Sequence, residues 1–326
     1  MRRRDFIKVI AGSAATWPLA TRAQQSRLVG GFLSANGVNT NPPTTEAFRA
    51  GLKENGFTDG ENVTIEYRWA DGRLERLPSM AMDLVRHQVA VIFTAGGSVS
   101  AMVAKGATRT IPIVFATGAD PVRSGLVASL NRPEGNATGV SNIVDLLGAK
   151  HIALLRELAP GVHNLGMIVS PDNPEQESQT ADLKAAVHAI GQQITVLHAT
   201  DGEEIDKAFA TLGQLKLDGL VVAPDAVFQR RRDQFVALAA QYAVPTIYYA
   251  REFVDAGGLV SYGTSFTWVY HQSAVYVARI LKGEKPTDLP VMQPTKFELV
   301  INTKTATTLG LTVPQTLRAT ADELIE

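Results

Sequence analysis

The chain has 326 residues, no cysteine, and 31 basic against 32 acidic residues, a formal net charge of −1. The missing cysteines exclude disulfides, thiolate metal sites and a lipid anchor attached at a cysteine. The near-neutral balance, without a basic stripe, argues against nucleic-acid binding. The length suits two domains of ordinary size.

Arg2, Arg3 and Arg4 precede an apolar run from Val9 to Ala20. A basic head, a short apolar middle and small residues near a cut site read as a bacterial export signal. Arg3-Arg4 followed by Asp5-Phe6-Ile7-Lys8 resembles the twin-arginine type. The run is shorter than the ~20 residues a spanning helix needs; the alternative is an N-terminal anchor or a simple tail. Thr21-Arg22-Ala23 supplies small residues for cleavage, so the mature chain is expected to begin near Gln24, in the periplasm. It would carry 26 basic and 31 acidic residues.

Beyond that point, apolar runs rich in branched residues alternate with stretches of helical period. Strands are expected at Leu28–Leu33, Val63–Trp69, Val89–Thr94 and Ile113–Ala116, with helices at Thr44–Asn55, Leu74–Arg86 and Val99–Lys105 between them. The second half repeats the pattern. Its strands are Asn164–Val169, Ile194–His198, Gly219–Ala223 and Thr246–Tyr249, and its helices are Glu175–Ile190, Glu203–Leu212 and Phe228–Tyr242. Such alternation implies right-handed crossovers and parallel sheets. The expected fold is α/β, with two doubly wound parallel-sheet lobes. Junctions fall near Thr138–Asn142, near Ser261–Ser265 before a helix Trp268–Lys282, and near Met292–Lys296 before a strand Phe297–Ile301. Three crossings would make a hinge between lobe 1 (24–142 with 266–294) and lobe 2 (143–265 with 295–326).

Catalytic signatures are missing from the sequence. There is no G-x-x-x-x-G-K-[ST], no H-E-x-x-H and no G-x-S-x-G, because Gly139-Val140-Ser141-Asn142 ends in Ile143. His87, His151, His188 and His271 fall in helical stretches and read as surface or half-buried residues. No cofactor is called for, although an active site assembled from distant residues leaves no such motif.

Polar and small residues gather instead after the strands, where open parallel sheets bind ligands. Ala95-Gly96-Gly97-Ser98 opens a helix, and the free amides of Gly97 and Ser98 would favour an anion such as a carboxylate; the alternative is a plain tight turn. Ser34 and Asn36 follow the first strand, and Asn142 stands at the first junction. Asp120 could meet a ligand ammonium or cap a helix that follows it. Ser170 and Asn173 follow one strand of the second half and Asp225 follows another, again in residues that ordinary turns use. Aromatic residues concentrate around Tyr248, Tyr249, Phe253, Tyr262, Phe266 and Trp268, with Arg251 among them. They suit either a ligand with an apolar body and a charged end or the core of the lobe. Arg230-Arg231-Arg232 reads as a solvated helix face or as a docking surface.

Several longer strings carry a resemblance. They are Pro112-Ile113-Val114-Phe115-Ala116 with Asp120-Pro121-Val122, then Gly125–Leu130 and Arg132–Gly139. Arg251–Leu259 and Pro294–Asn302 continue it. Together they resemble the extracytoplasmic ligand-binding proteins of ABC transporters related to the tryptophan-binding type, over essentially the whole mature chain. The resemblance implies the type I periplasmic-binding fold, binding without catalysis, and an amino-acid-like and often aromatic ligand. It also implies permease subunits in the inner membrane as partners of a monomer. In its terms Gly97 and Ser98 would meet the carboxylate, Asp120 or Asp225 the ammonium, and Tyr249 and Tyr262 the side chain. The chain departs from it at Tyr248-Tyr249-Ala250, where members often carry smaller residues, and this leaves the ligand's identity open. The rivals are a sensory protein of the same fold feeding a membrane receptor, and an exported α/β enzyme. A cytoplasmic repressor's effector module is opposed by the export signal and by the lack of a basic DNA-binding segment.

Overall fold

The computed structural model describes residues 28–142 and 147–326. The export signal expected at 1–23 lies outside the described residues.

The first segment folds as β1 (Leu28–Ser34), α1 (Pro42–Glu54), β2 (Val63–Trp69), α2 (Leu77–Arg86), β3 (Val91–Ala95), α3 (Ser98–Ala107), β4 (Ile113–Thr117) and β5 (Ala137–Ser141). Its five strands lie in the order β2-β1-β3-β4-β5, all parallel. Strands such as β3 and β4 are buried along their whole length, as both faces are covered by helices. This is why they read as unbroken apolar runs rather than as alternating ones.

The second segment runs α4 (Gly148–Leu158), β6 (Leu165–Val169), α5 (Gln176–Ala189), β7 (Ile194–His198), α6 (Gly202–Gln214), β8 (Gly219–Val222), α7 (Ala226–Arg230), α8 (Arg232–Gln241), β9 (Thr246–Tyr248), α9 (Arg251–Asp255) and β10 (Val260–Gly263). After it come α10 (Phe266–Leu281), β11 (Glu298–Asn302), α11 (Thr303–Thr308), α12 (Gln315–Thr320) and β12 (Glu323–Ile325). The second sheet has the order β12-β11-β10-β9-β8-β6-β7. Its part β7-β6-β8-β9-β10 repeats the order of the first sheet, while β11 pairs antiparallel to β10 and parallel to β12.

The two lobes exchange elements. α10 follows β10 of the second sheet but packs in the first lobe, where Val269, Tyr270, Ala274 and Val277 join the core of Phe32, Phe48 and Phe93. It lies so close to α1 that a Cβ on Gly51 would come 2.6 Å from the carbonyl of His271. The chain then returns along the edge of β5, where Ser141 N donates to Met292 O and Met292 N to Gly139 O, each at 2.9 Å. These crossings give three connections between the lobes. The result is two doubly wound α/β lobes with parallel sheets, of the type I periplasmic-binding kind.

Departures from the sequence reading have local causes. The expected junction Thr138–Asn142, an extended stretch in the sequence, belongs mostly to β5. Ala137-Thr138-Gly139 carries no apolar run, because β5 packs against β4 through small residues. The stretch Phe228–Tyr242 is two helices, broken at Arg231. The strand β11 pairs antiparallel to β10, a direction that period alone does not reveal.

Candidate functional site

The orders β2-β1-β3 and β7-β6-β8 each place a reversal of winding beside the first strand of a lobe, which is where open α/β sheets form crevices. Here the two crevices face each other and enclose one cavity of about 350 Å³. That is within the range of small-molecule sites, roughly 300–1,000 Å³.

From lobe 1, the cavity is lined by Asn36 after β1, by Gly96 to Val99 after β3, and by Thr117, Gly118 and Asn142. Gly96 and Gly97 have φ of +79° and +106°. A Cβ on Gly96 would stand 3.0 Å from the amides of both Ala35 and Asn36, so the backbone reaches the cavity only with glycine there. This turn leaves the first amides of the ten-residue α3 facing a ligand without intrahelical partners. Asn142 is 4 % exposed, and its Oδ1 has no partner. The Oδ1 of Asn36 is likewise shielded and unpaired.

From lobe 2 come Ser170 and Asn173 after β6, Glu175 at the start of α5, Asp225 after β8, Gln229 on α7, and Tyr249 after β9. Asp225 caps α7, accepting from Val227 N at 2.7 Å and from Phe228 N at 3.4 Å. Burial nevertheless pushes its carboxyl up to about 6, against the opposing pull of those amides. Burial also raises Glu175, and the charge of Asp225 adds to the effect. The Tyr249 hydroxyl lies 3.1 Å from Asp225 O and 3.0 Å from Oε1 of Gln229. Burial keeps that phenol protonated, so it donates. Gln229 Nε2 has no partner. The aromatic wall is Tyr249 with Phe266 and Tyr270 of α10. The described residues that line the cavity include Glu75, Asp172, Glu175 and Asp225 but no Lys, Arg or His.

The structure thus brings together Asn36, Gly97, Ser98, Asn142, Ser170, Asn173, Asp225 and Tyr249. The other four candidates lie elsewhere. Ser34 is fully buried and uses its Oγ to hold Asn36 N at 3.1 Å. Asp120 folds back on its own turn and accepts from Val122 N and Arg123 N. Arg251 sits outside the cavity among Asp255, Glu298 and Glu323. Tyr262 of β10 stacks on Phe297, with the Lys150 ammonium over its ring. Glu175, Gln229 and Tyr270 escape the sequence reading. A helix-start acid reads as a cap, and Tyr270 follows the core period of its helix. Its place in the cavity depends on α10 packing in the other lobe.

Contacts cross the cleft on its open side. Arg232 Nη1 donates to Thr40 O at 2.9 Å, and the Arg230 guanidinium donates to Asp71 O above Gly72. Asn41 donates to Glu252, and the Ser98 hydroxyl to Glu175. Of the three arginines read as a solvated face, Arg230 and Arg232 therefore bind lobe 1 while Arg231 stays exposed, and the conformation is the closed one.

Two doubly wound lobes joined by three connections and closed on one cavity define a two-lobed small-molecule-binding protein. The chain belongs to the family described as ABC transporter substrate binding protein, whose profile matches residues 39–325. A tyrosine-binding protein of Clostridioides difficile (strain R20291) is 25 % identical over 266 residues, covering 82 % of this chain and 76 % of that one. The ABC domain from Streptococcus pneumonia in complex with L-Trp is 25 % identical, with 92 % of this chain and 100 % of that one covered and a TM-score of 0.84. A ligand-free, open substrate-binding protein with adhesive properties from Clostridium difficile is also 25 % identical, with 92 % and 99 % covered, but at a TM-score of 0.67. At equal identity and nearly equal coverage the chain superposes better on the liganded structure than on the open one, in keeping with its cross-cleft contacts. Among the described residues no helix is long and apolar enough to cross a membrane.

Proposed function

We propose that this protein is the extracytoplasmic receptor of an ABC importer for a small amino-acid-like ligand with an aromatic body. The observation that carries this reading is the cavity itself. It is closed between two lobes, walled by Tyr249, Phe266 and Tyr270, supplied with the buried acid Asp225, and lined by no basic side chain among its described residues. A ligand ammonium pairs with Asp225, the aromatic body lies against the wall, and a ligand carboxylate addresses the amides at the start of α3. The tyrosine and L-Trp of the relatives support the ligand class.

On this reading a chain cleaved near Ala23 works as a monomer in the periplasm, and inner-membrane permease subunits take the ligand from its closed form. The hinge separates lobe 1 (24–142 with 266–294) from lobe 2 (143–265 with 295–326). The ligand's contacts to both lobes favour the closed state.

Calorimetric titration of the twenty amino acids into chain stripped of carried-over ligand by unfolding and refolding tests the reading. Micromolar or tighter binding confined to the aromatic amino acids is expected. Heat from none of them would overturn the ligand assignment and leave the family unaffected.

A further inference from the structure

The start of α3 is already taken by a carboxylate. Glu175, from the other lobe, reaches across the cleft and accepts the hydroxyl proton of Ser98, and the Ser98 amide also stabilises its charge. The residue is held in place for this. Its own amide donates to Asn173 Oδ1 at 3.0 Å, and Asn173 Nδ2 donates to Pro224 O at 3.0 Å, which ties the start of α5 to the loop after β8. The first turn of a ten-residue helix, behind two left-handed glycines, presents anion-attracting backbone to the cavity. The protein's own side chain fills it. No cationic side chain among the described lining residues offers a second seat to an incoming carboxylate.

We infer that Glu175 sets the specificity of this cleft by competing with the ligand's carboxylate for the start of α3, so that an amino acid must displace it while an amine need not. The inference rests on the aromatic, ammonium-bearing ligand proposed above. An amino acid exchanges one carboxylate for another at the seat, gains little there, and sets its charge against the displaced Glu175. An amine leaves Glu175 in place and adds a cation to a cavity that holds Asp225 as well. Truncating Glu175 therefore favours amino acids over amines.

The test compares L-tyrosine with tyramine and L-tryptophan with tryptamine, by calorimetry on the stripped full chain, its Glu175→Ala variant and its Glu175→Gln variant. In Glu175→Ala each amino acid gains about tenfold or more on its amine, the size of one charge-assisted contact. Glu175→Gln, which keeps the shape and loses the charge, moves the ratio the same way by less. A ratio within about twofold of wild type in both variants overturns the inference. So does a common loss of amines and amino acids, the behaviour of an ammonium ligand. Should none of the four ligands bind any form, the proposed ligand class fails and the inference falls with it, whereas binding with an unmoved ratio overturns the inference alone.

Discussion

Replacing Asp225 by Asn separates stability from binding at one residue. Burial raises the Asp225 carboxyl from its ordinary 3.8 to about 6. For an acid raised by folding, the folded chain holds the proton more tightly than the unfolded one. Stability from this group is therefore highest at acid pH, falls as pH rises from 3.8 through 6, and stays flat above. The linkage integral gives a cost of about 3 kcal/mol at about pH 7.5 and about 1 kcal/mol at about pH 4.5. Asparagine resembles the protonated acid and keeps a cap acceptor for Val227 N, and the pull of the α7 amides on the charge is already contained in the value of about 6. Removing the charge also relieves Glu175, which Asp225 raises, and this acts in the same direction. Ligand-free Asp225→Asn should thus be more stable than wild type by about 3 kcal/mol at about pH 7.5 and by about 1 kcal/mol at about pH 4.5. Its affinity for an ammonium-bearing ligand should fall roughly 100-fold, the usual cost of truncating one partner of a buried charge pair. Urea unfolding at the two pH values, with calorimetry of L-tyrosine and L-tryptophan, measures both. A stability change equal at the two pH values, or unchanged affinity, would refute the reasoning.

Two further outcomes are expected. A Cβ on Gly139 would lie 2.1 Å from Phe115 O, its register partner on β4, so Gly139→Ala should lose about 3 kcal/mol or more. A loss under about 1 kcal/mol in urea unfolding would show that β5 is not held as described. Burial lowers the His151 imidazole from 6.5 to about 4, and its Nε2–H donates to Tyr262 O at 2.6 Å. The unfolded chain takes up that proton first, so stability is complete above about pH 6.5 and declines by about 3 kcal/mol as pH falls through 4. His151→Gln should flatten that stretch of the stability–pH curve, and parallel curves for variant and wild type would speak against it.

Much of the site is legible in the sequence, because topology alone sends certain loops to the cleft. Once strands and helices alternate, whatever follows β1, β3, β6 and β8 stands at the mouth of its sheet. Asn36, Gly97, Ser170, Asn173 and Asp225 could therefore be named without knowing where any side chain points. Direction is what residue type does not carry. Asp120 follows β4 as Asp225 follows β8, yet it satisfies the amides of its own turn outside the cavity. Arg251 is drawn outside by Asp255 one turn along and by Glu323, 72 positions away on a strand too short to read. Phe266 and Tyr270 show the opposite limit. Their helix follows lobe 2 in the chain but packs in lobe 1, and only the crossed connection brings the rings to the cavity.

Besides pairing with a ligand cation on the proposed reading, Asp225 opposes closure when no ligand is present. With the cleft shut, Glu175, Asp225 and the cross-cleft acceptor Glu252 are all buried carboxyls raised by desolvation, and no basic side chain of the described lining compensates them. Opening returns the cavity to water and relieves this cost, so the bonds from Arg230, Arg232, Asn41 and Ser98 pull against it. Each ~1.4 kcal/mol of the Asp225 cost that arises on closing shifts the closed-to-open ratio tenfold. A ligand cation cancels that cost and a neutral ligand of the same shape does not, so the charge of the ligand decides the shape that a partner can recognise. Asp225→Asn uncouples the two, because it removes the cost of closing together with the partner of the cation. Such a chain should be compact in ligand-free scattering while binding poorly, whereas a chain closed only by ligand contacts would stay open.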